Sequence, residues 1–437
     1  LIKAGVSRDF ICKLHPKAKD VENIPTFKTI EDVMIERNFE PVDLFVVSVP
    51  SKMAVGYIEQ AFKLNAAKSI QVISGGFAET QKGAAYQDYL ENVISDIRKT
   101  KPAMNLPIIN GPNTVGNLYQ PCDSNEDDTP YSTIFTPESR SSAHGIKEGV
   151  KECALICQSG AFLLARRSNL AGILNPSLTL SVGNQMDLSV PDYIEYILSE
   201  HPQIMVIGCY IEGLPDGEGV RLMQITGRAR SLGKFIIIYK SGRTAHGRLA
   251  ARGHTASLPV DYRDCKRYLT HSGCLVADSF QEFENLMITA SVTPSLCKTI
   301  TNFSQEHVDV GVACLSNAGF EKCAFGDHLI PAGKGKVYFP KLGKNASNII
   351  REMFEHLKLT EVIDISQILD VSPMMGDEGY ERIIRALLED ENVHTVIAGL
   401  VPEPLCLTSV EPLIYQENSL LNRIAKIHEE YKGRKIL

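Results

Sequence analysis

Short apolar runs recur along the chain, and helix-compatible segments separate them. Near the start, DLFVVSV (Asp43 to Val49) leads into one helical stretch, SIQVIS (Ser69 to Ser74) leads into another, and PIIN (Pro107 to Asn110) follows. The same rhythm returns with ALICQ, LTLSV, IMVIGCYI and FIIIY, and again with VGVACLS and TVIAGLV. These runs are rich in Val and Ile and show little alternation, so they predict strands buried on both faces. Such strands, alternating with helices, predict βαβ units and parallel sheets. The expectation is an α/β chain from end to end, built as three consecutive doubly wound parallel-sheet domains.

Breaks in the rhythm set the boundaries. The polar stretch from Cys122 to Gly149 carries no sustained period and predicts a linker with a short extended piece. A second break falls at Thr293-Pro294-Ser295. The predicted domains are therefore 1–128, 129–294 and 295–437, within the two to four cores that 437 residues suit. Hydrophobic residues at 44% and charged residues at 22% describe an ordinary globular chain rather than a disordered one. A net charge of -7, with no dense Lys/Arg run, argues against a nucleic-acid surface. No apolar stretch approaches the roughly eighteen residues that would span a bilayer. Eleven cysteines stand without a C-x-x-C pair. That fits reduced thiols and a cytoplasmic location, not a disulfide framework or a zinc site. No cleavable targeting segment is read at the start, although the chain opens abruptly inside a helix-like stretch.

The richest chemistry lies between Tyr239 and Pro259, YKSGRTAHGRLAARGHTASLP. This segment follows the predicted strand FIIIY and carries His246 and His254. Gly, Thr, Ala and Ser surround His254, and a covalent nucleophile needs that kind of open approach. Gln158-Ser159-Gly160 sits between a strand and an apolar helix, where backbone N–H groups at a helix start can hold an anion. The same pattern is also a common turn. Glu212 ends a strand at the C-terminal edge of a parallel sheet, where ligand sites gather. It equally reads as a charged surface residue. Gly183-Asn184-Gln185-Met186-Asp187 is a polar turn in which Asp187 can cap the next helix. Ser74-Gly75-Gly76-Phe77-Ala78-Glu79 and Asn110-Gly111-Pro112-Asn113 follow strands, and glycines there let the backbone approach a ligand.

The Tyr239–Pro259 segment resembles the phosphohistidine loop of the nucleoside-diphosphate-forming acyl-CoA synthetases, the family of succinyl-CoA synthetase and ADP-forming acetyl-CoA synthetase. Lys240, Ser241, Gly242, Arg243 and Gly247 fit its first half, and Gly253-His254-Thr255-Ala256 fits its second. The resemblance runs the length of the chain in the same order. It implies a Rossmann-like CoA-binding domain, then a flavodoxin-like phosphohistidine domain, then a second flavodoxin-like domain. It implies that His254 carries the phosphoryl group through Nε2, that Glu212 partners the imidazole, and that His246 faces solvent. Gln158, Ser159, Gly160, Gly253, Thr255 and Asn184 are then expected around the phosphate. For CoA, the resemblance implies Ser74, Gly75, Gly76, Phe77, Glu79, Asn110, Pro112 and Asn113 along the pantetheine arm. Val49 and Pro50 would meet the adenine end. Lys17, in His15-Pro16-Lys17, would meet a phosphate, although the family has Asn where His15 stands.

Other positions depart from the family pattern. Ser316-Asn317-Ala318-Gly319-Phe320 has Phe in place of a second Gly, and Leu369-Asp370-Val371-Ser372-Pro373 departs from N-P-x-D. The third domain is therefore expected to be mainly structural and interfacial. The family's first strand and Gly-rich turn should precede Leu1 by roughly 20 residues or more. Lys435-Ile436-Leu437 reads as a strand cut short, so a fragment is expected at both ends. No metal-ligand spacing, phosphate-binding P-loop or kinase set is present. The resemblance instead assigns ATP/ADP and Mg2+ to an ATP-grasp domain, fused or on a separate subunit, so a hetero-oligomer or longer chain is expected. The implied reaction interconverts acyl-CoA, phosphate and ADP with a small carboxylic acid, CoA and ATP. Two further readings stay open: a carbamoyl- or acyl-transferase subunit on the same scaffold, and a non-catalytic CoA-binding regulatory module. The acid itself is not legible, since one carbon in an apolar pocket is worth only about 1–3 kcal/mol.

Overall fold

The computed structural model describes residues 6–15, 23–101, 105–122, 130–136, 148–244, 246–247, 262–293, 309–328, 337–360 and 365–431. The chain forms two compact units, Leu1–Pro294 and Ser295–Leu437. Both are mixed α/β with parallel sheets.

In the first unit, β1 (Lys13–Leu14) and β2 (Thr26–Phe27) make a small parallel pair. A three-stranded parallel sheet follows, from β3 (Val42–Val47), β4 (Ala67–Val72) and β5 (Ile108–Asn110). Helix α1 (Ile30–Glu36) starts on a Thr29–Asp32 capping box. Helix α2 (Ser51–Leu64) follows β3, and α3 (Gln81–Thr100) follows β4 with Thr80 accepting from the Gly83 N–H at its start. Ala54, Ile58, Ala61 and Phe62 of α2 and Leu90 and Ile94 of α3 fall at helical spacing, which puts them on the faces buried against Val47, Ile70, Val72 and Ile109.

A seven-stranded sheet occupies the rest of this unit. Its strands are β6 (Asn117–Tyr119), β7 (Tyr131–Ser132), β8 (Cys153–Cys157), β9 (Leu178–Ser181), β10 (Val206–Ile211), β11 (Phe235–Lys240) and β12 (Leu275–Ala277). They lie in the order β12-β11-β10-β8-β9-β6-β7. Its helices are α4 (Gly160–Leu170), α5 (Val190–Glu200), α6 (Glu218–Ser231), α7 (Tyr262–His271) and α8 (Phe280–Val292). Strands β8 to β12 are mutually parallel, whereas β6 pairs antiparallel with β9, and β7 with β6. The apolar runs are continuous because both faces are covered: all five residues of β8 and all four of β9 are buried. Taken in chain order, β8 to β12 read 2-1-3-4-5 across the sheet. That doubly wound order reverses between β8 and β10, and ligands bind at the strand ends of such a switch point.

The second unit is centred on β13 (Val310–Ser316), which pairs in parallel with β14 (Val337–Tyr338), β15 (Ile368–Asp370) and β16 (Thr395–Ala398). Its helices are α9 (Gly319–His328), α10 (Lys344–His356), α11 (Asp377–Glu389) and α12 (Leu420–Tyr431). Ile350, Phe354, Tyr380, Ile383, Ile384 and Leu387 make the centre of its core. Among the described residues no helix is long and apolar enough to cross a membrane. Ten described cysteines carry free thiols, and burial pushes that of Cys153 up to about 12, so it is inert at neutral pH.

Candidate functional site

At the switch point, β8 runs out at Cys157 and β10 at Ile211, and the two following turns are bonded to each other. Gln158 is buried, and its Oε1 accepts the backbone N–H groups of Glu212 at 2.7 Å and Gly213 at 3.1 Å. The Gln158 N–H donates to Tyr210 O at 3.1 Å, which extends the strand pairing by one residue. Ser159 then caps α4, its Oγ accepting from the Phe162 N–H at 3.3 Å. The N–H groups of Gly160 and Ala161 stand at the first two positions of that helix, where no intrahelical acceptor exists. They and the positive end of the helix dipole make an anion-binding end. A side chain at position 160 would put its Cβ 2.1 Å from Val115 Cγ1, so only glycine brings this turn against the Pro112–Val115 loop.

Glu212 is half-buried at the end of β10, and the Tyr210 hydroxyl donates to its Oε1 at 3.2 Å. Lys240 ends the neighbouring strand β11, paired with Ile211, and its Nζ donates to the Glu212 carbonyl at 2.7 Å and the Ser241 carbonyl at 2.8 Å. Burial pulls the Lys240 ammonium below its ordinary value, and it pushes the Tyr210 phenol up, with the Glu212 charge adding to the latter. Tyr210 stacks on Phe162, ring centroids 4.3 Å apart, and lies nearly parallel to Tyr239 at 5.9 Å. Arg166 of α4 lies over Phe162 and Phe280 and pairs with Glu284 of α8 at 2.7 Å. The helix that presents Ser159 and Gly160 is thus locked to the sheet by rings and to α8 by a largely buried ion pair.

The Gly183–Asp187 turn follows β9 and meets the loop after β5. Asn184 N donates to Pro112 O at 2.9 Å and Met186 N to Gly111 O at 3.0 Å. Gly183 adopts φ +56°, and a Cβ there would lie 2.0 Å from Pro112 O. The side chain of Asn184 donates to Gln87 at 3.2 Å. Asp187 does not cap α5. It accepts from both terminal guanidinium nitrogens of Arg98 and from the Ile109 N–H, and α5 starts instead on a Ser189–Asp192 capping box.

Around the three-stranded sheet, Ser74 is the hub of the loops expected to hold CoA. Its Oγ accepts from Val49 N at 3.1 Å, and its carbonyl accepts from Asn113 N at 3.0 Å. Phe77 is fully buried and anchors the Gly75–Gly76 turn, and its N–H donates to Glu79 Oε2 at 2.6 Å. Pro50 and Asn113 are exposed beside it. Glu79 Oε1 and Asn110 Oδ1 are buried acceptors with no protein donor.

Lys17, Gly253, His254 and Thr255 lie outside the described residues. His246 is exposed. Among the described residues no group of three or more His, Cys, Asp or Glu side chains is placed to hold a metal. In the second unit, the Asn317 amide bonds the Val401 backbone twice, at 2.9 Å each, and Ser316 Oγ donates to Glu321 at 2.5 Å. Those side chains are spent on bonds among the loops and helix starts of their own unit. Sequence reasoning missed Gln185, which is buried and bonded to Gly213 across the switch point, and Arg98 as the partner of Asp187.

Residues 150–290 match the family model described as the succinyl-CoA ligase like flavodoxin domain. An ADP-forming acetate–CoA ligase of Methanocaldococcus jannaschii is 30% identical over 365 residues, covering 83% of this chain and 44% of that protein. The chain belongs to the nucleoside-diphosphate-forming acyl-CoA synthetase family. The subunit alpha of the ADP-forming acetate–CoA ligase II of Pyrococcus furiosus is 25% identical over 399 residues, covering 88% of this chain and 74% of the subunit. The fold is shared with the dinucleotide-forming acetyl-coenzyme A synthetase 1 of Ca. Korarchaeum cryptofilum, solved with phosphate and ADP. The TM-score is 0.72 at 20% identity, over 100% of this chain and 82% of that one. The chain spans about half the length of several curated members it matches.

Proposed function

We infer that the chain is the CoA-binding and phosphohistidine part of an acyl-CoA synthetase, read as domains 1–128, 129–294 and 295–437. In this reading phosphate attacks the acyl-CoA thioester, releasing CoA and leaving an acyl phosphate. His254 Nε2 then attacks the phosphorus, and the carboxylic acid departs. The phosphoryl group passes to ADP at an ATP-grasp domain or subunit, which also supplies the magnesium-nucleotide site. A relative named as a subunit alpha supports a partner subunit. Free thiols support a cytoplasmic location.

The observation that carries the reading is the convergence at the switch point. The α4 end with Ser159 and Gly160 offers backbone N–H groups to a phosphate. Glu212, tied to that turn through Gln158, is a carboxylate available to an imidazole N–H. Such a partner fixes the histidine tautomer and stabilises the imidazolium. The segment bearing His254 leaves the sheet at Lys240, paired with Ile211 next to Glu212. Gly253, Thr255 and Asn184 complete the proposed phosphate surroundings. For CoA, the partnerless acceptors Glu79 Oε1 and Asn110 Oδ1 suit amide donors such as those of pantetheine. Ser74, Gly75, Gly76, Phe77, Pro112 and Asn113 shape that arm, Val49 and Pro50 the adenine end, and Lys17 a phosphate contact.

The test is ATP formation by the full-length protein with its nucleotide partner. A panel of acyl-CoAs is supplied with ADP and phosphate. The reading expects ATP that depends on all three, with the best acyl-CoA naming the acid. Acyl transfer without ATP would support the transferase reading, and CoA binding without turnover the regulatory one.

A further inference from the structure

The Glu212–Gly213 turn has an unusual source of order: side chains, not backbone, capture its four backbone polar groups. Gln158 Oε1 takes both N–H groups, at 2.7 and 3.1 Å. Lys240 Nζ donates to the Glu212 carbonyl at 2.7 Å. Gln185 Nε2 donates to the Gly213 carbonyl at 2.9 Å. Gln185 is only 4% exposed and sits in the left-handed region, at φ +57°. Its Oε1 accepts from the Val190 N–H at 2.9 Å, so one amide joins the start of α5 to the Glu212 turn. Gly213 has no side chain to hold it and the widest backbone freedom of any residue, so these bonds set the direction in which the turn leaves β10.

We propose that Gln185 is a positioning residue for Glu212: with Gln158 it clamps the Gly213 peptide and so aims the carboxylate at the phosphoryl-transfer site. The proposal rests on the reading of Glu212 as the imidazole partner. Donor and acceptor are both required of the Gln185 side chain. The Gln185→Glu change would place a second acceptor against the Gly213 carbonyl, and Gln185→Met would leave that carbonyl and the Val190 N–H without partners. The turn would then relax, and small misplacements of a catalytic group are expensive in rate.

The experiment uses the full-length protein, the best acyl-CoA of that panel and labelled phosphate, and measures the rate of phosphoenzyme formation together with the apparent affinity for CoA. Gln185→Met and Gln185→Glu are each expected to slow phosphoenzyme formation by about tenfold to a hundredfold, with CoA affinity changed by less than about twofold. In a Glu212→Gln background, Gln185→Met is expected to add less than about twofold, because the residue acts through Glu212. A purely structural role would multiply the two losses, and that outcome overturns the proposal. A wild-type rate in Gln185→Met while Glu212→Gln is slow overturns it as well. A wild-type rate in Glu212→Gln itself defeats the reading of Glu212, and the clamp with it. Should Gln185→Met fold poorly, Gln185→Glu keeps the volume and the Val190 bond. Amide exchange at Glu212 and Gly213 in that variant is expected to accelerate, and unchanged protection there counts against the clamp.

Discussion

Arg98 grips Asp187 with both terminal guanidinium nitrogens, at 2.6 and 2.8 Å, across 89 positions of sequence. One end lies on α3 of the small sheet and the other in the turn that follows β9. The Asp187 oxygen nearer Ile109 also accepts that residue's N–H at 2.8 Å, so the pair fixes the start of β5 too. Asp187 is well covered and Arg98 only partly so, which places the pair between a surface and a buried ion pair. Arg98→Met is expected to destabilise the protein by about 1–2 kcal/mol, the range for a charged hydrogen bond discounted for solvent screening. Denaturant titration of the variant against the wild type measures it, and an unchanged midpoint would make the pair decorative.

A second consequence concerns pH. Asp278 accepts from Lys266 and from the Tyr262 hydroxyl, both at 2.7 Å, and so holds α7, the helix that follows the His254 segment. The Lys266 bond, helped by Tyr262 and the Arg243 charge and opposed by burial, lowers the Asp278 carboxyl below its ordinary value. A lowered folded pKa gives stability that is present above the unfolded value of about 3.9 and is lost as pH falls through the folded one. Asp278→Asn is therefore expected to melt below the wild type at neutral pH. The gap should close as pH falls from the unfolded carboxylate range through the lowered folded-state pKa. A gap that persists undiminished in acid would remove the carboxylate from the explanation.

Gly183→Ala tests the junction of the three-stranded and seven-stranded sheets of the first unit. The new Cβ would stand 2.0 Å from the Pro112 carbonyl on a backbone at φ +56°. The Gly183–Asp187 turn must withdraw, which disturbs the bonds from Asn184 to Pro112 and from Met186 to Gly111. The expected result is a loss of about 1–3 kcal/mol, the usual cost of a strained backbone position. Weaker CoA binding should accompany it, because Pro112 and Asn113 share that loop. Calorimetry with CoA and a melting curve together read both, and wild-type values in each would show that the loops adapt freely.

The longer parallel strands were legible because strands covered on both faces write themselves as unbroken apolar runs, as in CALIC of β8 and FIIIY of β11, whereas β2, β12, β14 and β15, two or three residues each, left no such run. Strands β6 and β7 were not legible either, since Asn117–Tyr119 and Tyr131–Ser132 are short, partly polar and antiparallel at the sheet edge. The turns after β8 and β10 stood out through their Gly, Ser and Glu residues. Gln185 did not: an amide in a polar turn carries no signal, and its role depends on a carbonyl 28 positions away. Arg98 was hidden for the same reason, on a helix whose exposed face is rich in charge. Asp187 looked like a cap because the next helix begins close behind it, but Ser189 and Asp192 already fill that role.

If His254 carries the phosphoryl group, chemical mapping of the phosphoenzyme finds it there. The full-length protein is incubated with acyl-CoA and labelled phosphate, digested under mildly alkaline conditions, and the acid-labile label is mapped by peptide. Label is expected on the peptide containing His254, lost in His254→Ala and retained in His246→Ala. Label on His246, or undiminished labelling in His254→Ala, would contradict it.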